Sequence, residues 1–62
     1  MQLVNDTESM IKSQMELKGA SYVNDEVLTG VRQEVGVLCY GLGFNRDKII
    51  ETAVKNIRKE LI

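Results

Sequence analysis

Residues 24–40 read NDEVLTGVRQEVGVLCY and residues 46–62 read RDKIIETAVKNIRKELI, with GLGFN at 41–45 between them. Both long segments carry apolar residues at the period of a helix. In the first, Val27, Leu28, Val31, Val35, Leu38 and Cys39 fall within roughly a third of the helical circumference and define a core face. In the second, Ile49, Ile50, Ala53, Val54, Ile57 and Leu61 form one stripe. Each segment has a start signal. Asn24 stands before Asp25 and Glu26, which places a cap and two negative charges at the positive end of a helix. Asn45 is the corresponding cap for the helix that follows it. Gly41 and Gly43 interrupt the pattern between them, so the spacing predicts two helices, 24–40 and 46–62, closed into a hairpin.

A third helix is expected at about 5–18. Asn5 with Glu8 three residues on is capping-box-like, and Gly19 is a stop. Leu3, Thr7, Met10, Gln14 and Leu17 are spaced 4-3-4-3, a heptad-like seam widened by Val4, Ile11 and Met15. The sequence shows no strand-like alternation, repeat or low-complexity tract. The fold class is therefore all-α, an N-terminal helix plus a tight helical hairpin, in a single small domain over residues 1–62.

A second row, Gly30, Gln33, Val37 and Tyr40, runs along nearly the opposite side of the middle helix. Glycine inside a helix costs up to about 1 kcal/mol relative to alanine. Gly30 and Gly36 read either as close approaches of a neighbouring backbone or as tolerated imperfections. Met10 and Met15 suit an adaptable contact surface as well as a core. In the third helix, Glu51 and Lys55 are placed for an i,i+4 pair.

The chain has 62 residues, of which 44% are hydrophobic, with no proline and no histidine. So short a chain buries only about 60% of its unfolded surface, and proteins of this size gain help from disulfides, a metal or self-association. A lone cysteine, Cys39, excludes an intrachain disulfide, and one thiol without histidine cannot build a zinc site. A homodimer is the expected remedy. Residues 1–45 carry Lys12, Lys18 and Arg32 against six acids, a net of −3, whereas residues 46–62 carry five bases against Asp47, Glu51 and Glu60, a net of +2. These opposite signs suit an oriented encounter with a second copy or another protein.

The composition also bounds function. A catalytic thiol needs a base, so Cys39 on an apolar face reads as an inert core thiol. Asp25 and Glu26 sit where a helix start wants them, not as an acid–base pair. Gly41-Leu42-Gly43 has no preceding strand and completes no phosphate-loop pattern. No enzymatic activity, cofactor or metal is therefore expected. The net charge of −1 and the absence of aromatic residues among the bases of the last helix argue against nucleic acid. No run approaches a membrane span, and the N-terminus lacks the basic and apolar regions of a signal peptide. The expected compartment is cytoplasmic.

The stretch LCYGLGFNRDKIIETAV at 38–54 resembles the Leu-Gly-Phe turn and following helix of ubiquitin-associated-like domains. It is most similar to the kind that forms the C-terminal module of the Holliday-junction subunit RuvA. The similarity covers residues 38–57. It departs from the family in that the last helix runs to residue 62, where the family has a further helix. The resemblance implies that Leu42, Gly43 and Phe44 are a protein-binding turn. Packing alone predicts the opposite for Phe44, the sole phenylalanine, which is expected to be buried where the hairpin closes. The same segment scans as a helix-turn-helix with Gly43 in the turn, though Thr52 replaces an apolar residue there.

The expected function is a non-enzymatic protein–protein interaction module, a small regulator that acts as adaptor or inhibitor by occupying a partner's surface. The alternative is a small DNA-binding transcriptional regulator of helix-turn-helix type. The candidate partner or dimer contacts are Met10, Met15, Gly30, Val37, Tyr40, Leu42, Gly43 and Phe44.

Overall fold

The computed structural model describes residues 2–61 and is all-α, with three helices and no strand among those residues. Helix α1 spans Gln2–Lys18, α2 spans Asp25–Cys39 and α3 spans Arg46–Leu61.

Helix α1 starts earlier than its cap signal suggests. Asn5 is an exposed residue inside the helix, not its cap. The reason is tertiary: Leu3 and Val4 pack against the core, and a start at Asn5 would leave both outside helical geometry. The heptad-like seam is thereby continuous from Leu3, although Leu17 at its far end is exposed. The centre of the seam is Thr7 and Ile11, both fully buried. The Thr7 hydroxyl donates to the Leu3 carbonyl at 2.7 Å, which satisfies the one buried polar side chain among the described residues. Gly19 stops the helix as expected, with φ +64°. Its N–H donates to the Glu16 carbonyl and the Ala20 N–H to the Met15 carbonyl, the paired bonds of a Schellman motif.

Helix α2 begins at the expected cap. The Asn24 side chain accepts from the Val27 N–H at 2.9 Å. Val27, Leu28, Val31, Val35 and Cys39 are buried as the periodicity requires, but Leu38 is exposed. It lies about 100° round the helix from Cys39, at the rim of the buried arc. Gly30 faces open space, so no backbone approaches it. At Gly36 the neighbour is a side chain: an added Cβ would stand 3.3 Å from Arg46 Cδ.

The connection to α3 is built by its glycines. Tyr40 (φ −61°, ψ 126°) and Gly41 (φ +75°) make a type II turn, closed by the Leu42 N–H donating to the Cys39 carbonyl. Gly43 follows at φ +76°, as its place between two long helices demands. Asn45 then caps α3, its side chain accepting from the Lys48 N–H at 3.1 Å. Ile49, Ile50, Ala53, Val54 and Ile57 are buried, Ala53 completely. Leu61 is exposed in the last turn, contrary to the stripe. The expected Glu51–Lys55 pair is absent from the ion pairs among the described residues.

The hairpin is completed by α1, which packs against both other helices and most extensively against α3. Its first turn lies beside the start of α3, and Lys12 pairs with Glu60 near the end of α3 at 2.8 Å. The two helices therefore run in the same direction, with α2 antiparallel to both. Among the described residues no helix is long and apolar enough to cross a membrane.

Candidate functional site

The eleven residues Val35 to Asn45 contain no charge. This stretch forms the last turns of α2 and the connection to α3, at the end of the molecule where α1 also begins. Only Val35 and Cys39 turn fully into the core. Val37 is 72% exposed, Tyr40 89%, Leu42 63% and Phe44 45%, with Leu38 also exposed. The expectation of a buried Phe44 is thus corrected. Gly43 at positive φ swings the chain outward, and the Asn45 cap fixes the entry to α3 before Phe44 can fold between the helices.

Phe44 instead forms one wall of a shallow groove between the start of α1 and the first turns of α3. Val4 and Ile49 supply the apolar lining beside it. Asn5, Asn45, Thr52 and Asn56 supply polar groups, and Lys48 is the one charged residue among the described residues of the lining. Asn45 is occupied as the cap, and the Thr52 hydroxyl donates to the Lys48 carbonyl. Among the described residues, the Asn5 and Asn56 side chains make no hydrogen bond. Lys48 likewise has no ion-pair partner among them.

The structure therefore gathers Val37, Tyr40, Leu42, Gly43 and Phe44 around one end. Met10 and Met15 do not join them; both are half-buried and pack against the core from α1. Gly30 lies two turns away on the outer face of α2, beside Gln33 and Val37. Val4, Asn5, Lys48, Thr52 and Asn56 are not among the contacts expected from the sequence, where Val4 belongs to the α1 seam and Asn5 reads as a cap. Nothing local signals them, because the groove exists only where α1 lies beside α3.

A second groove lies between α2 and α3. Leu28, Ile50 and Val54 supply its apolar lining, and four bases, Arg32, Lys55, Arg58 and Lys59, line it together with Asp47 and Glu51. Among the described residues no cluster of three acidic, cysteine or histidine side chains is placed to hold a metal. Cys39 is buried. The chain matches no family model, no curated protein and no solved structure.

Proposed function

We propose that this chain is a non-enzymatic protein-binding module, a small cytoplasmic regulator that acts as an adaptor or inhibitor by covering a partner's surface. The observation that supports this reading is the uncharged turn carrying exposed Tyr40, Leu42 and Phe44 beside the Val4–Ile49 groove. Contiguous apolar exposure on so small a protein marks a contact surface. Aromatic side chains concentrate at the energetic centres of such surfaces. The resemblance of 38–57 to a ubiquitin-associated-like binding turn points to the same residues. Self-association belongs to the same reading: Val37 on the outer row of α2 and Tyr40 just past its end would be covered in a homodimer. The DNA-binding alternative gains no support from the connection of α2 to α3. It is six residues long, from Tyr40 to Asn45, against the three or four of a helix-turn-helix.

The test is affinity capture from the native host, read by mass spectrometry, with wild type and Leu42→Asp side by side. The reading expects a protein retained by wild type and lost by the variant, whose helicity is unchanged. Equal recovery by both, or a strongly salt-dependent DNA shift in place of a protein partner, contradicts it.

A further inference from the structure

The groove beside Phe44 has a chemistry that selects its occupant. Val4, Ile49 and the ring of Phe44 give it an apolar lining. Asn5 and Asn56 stand along it with amides that no described residue engages. An amide offers both a donor and an acceptor, which is what the backbone of an extended peptide presents. Among the described residues Lys48 is the single charge in the lining, none of the lining residues is an acid, and no carboxylate neutralises it within 4.0 Å. A basic partner segment would meet an uncompensated like charge, whereas an acidic one would find a counter-charge.

We infer that this groove binds an extended peptide segment of a partner protein, with a large apolar residue seated against Phe44 and an adjacent carboxylate on Lys48. The inference rests on the proposed protein-binding function and names the class of partner segment for that site.

The probe is a random peptide library displayed on phage, selected on immobilised wild type and on Lys48→Glu. Lys48 is exposed and unpaired among the described residues, so the reversal leaves the core untouched. Circular dichroism checks that both proteins are equally helical. Wild type should enrich peptides with a large apolar residue next to Asp or Glu. Lys48→Glu should replace that acid by Lys or Arg and keep the apolar position. A synthetic peptide of the enriched sequence should bind Lys48→Ala about two- to fivefold more weakly than wild type, the range of an exposed ion pair. A consensus without an acid, or one that Lys48→Glu does not switch, overturns the inference. Failure to enrich any peptide also overturns it, including the case where a second copy fills the groove and Phe44→Ala halves the mass in solution. In either event a partner captured in a Leu42-dependent way would still stand, which separates failure of this inference from failure of the proposed function.

Discussion

Cys39 is 7% exposed on the face of α2 that packs into the core. A thiol enclosed by apolar side chains is shielded from reagents in solution. Labelling of the native protein should therefore be slow and should accelerate on unfolding. Cys39→Ser should cost roughly 1–3 kcal/mol by placing a hydroxyl in the same surroundings. Labelling kinetics with and without denaturant check this; fast native labelling would mean that α2 presents a different face. Cys39 was legible in the sequence because its neighbours at Val31 and Val35 share its phase. Phe44 was not. Being the only phenylalanine argued for burial, but its position is set by the backbone of Gly43 and the Asn45 cap, not by hydrophobicity.

At the scale of elements, the glycines separate by conformation. Gly30 has helical geometry and nothing near its would-be Cβ, so Gly30→Ala should stabilise the protein by about 0.5–1 kcal/mol. Gly43 has φ +76°. An L-residue there costs about 1–2 kcal/mol, so Gly43→Ala should destabilise by that amount although space is available. Thermal melts of the two variants should move in opposite directions; a shift of both in one direction would contradict the assigned turn. The starts of α2 and α3 were readable because Asn24 and Asn45 each stand immediately before a periodic run. The start of α1 was not, since Asn5 also resembles a cap and only packing of Leu3 and Val4 decides against it. Leu17, Leu38 and Leu61 kept the helical phase yet are exposed. Phase identifies a face, but the reach of the neighbouring helices decides how far along that face burial extends.

The whole molecule is held in register by α1, and the Lys12–Glu60 pair ties it to the far end of α3. Lys12 is held above its ordinary value of 10.5, first by its hydrogen bond to the Glu60 carboxylate and then by that group's charge. A folded-state value raised in this way contributes stability that is fully present below pH 10.5 and is lost as pH rises through the raised value. Both side chains are solvent-exposed, so the contribution is small and screened by salt. In low salt, wild type should melt above Glu60→Gln at neutral pH, and the gap should close at strongly alkaline pH. A gap that persists there would place the effect elsewhere.

Oligomeric state belongs to the same scale. With Val37, Tyr40, Leu42 and Phe44 all exposed, light scattering at micromolar concentration should report about twice the chain mass, since so small a core gains from covering such surface. A monomer that unfolds cooperatively at ~100 µM would show that one core suffices, as it does for many small domains.

The central claim is that the turn from Tyr40 to Phe44 is a contact surface and not part of the core. Phe44→Ala tests it most directly. Phe44 is 45% exposed, so truncation should cost only about 1–2 kcal/mol, less than full burial of the ring would imply. A chain of this size has about 5 kcal/mol in total, and the variant should stay folded. Circular dichroism and partner capture should be read on one preparation of wild type and Phe44→Ala. The account predicts unchanged helicity, a modest fall in Tm and loss of the captured protein. A variant that is largely unfolded, or one that folds and retains the partner, would contradict it.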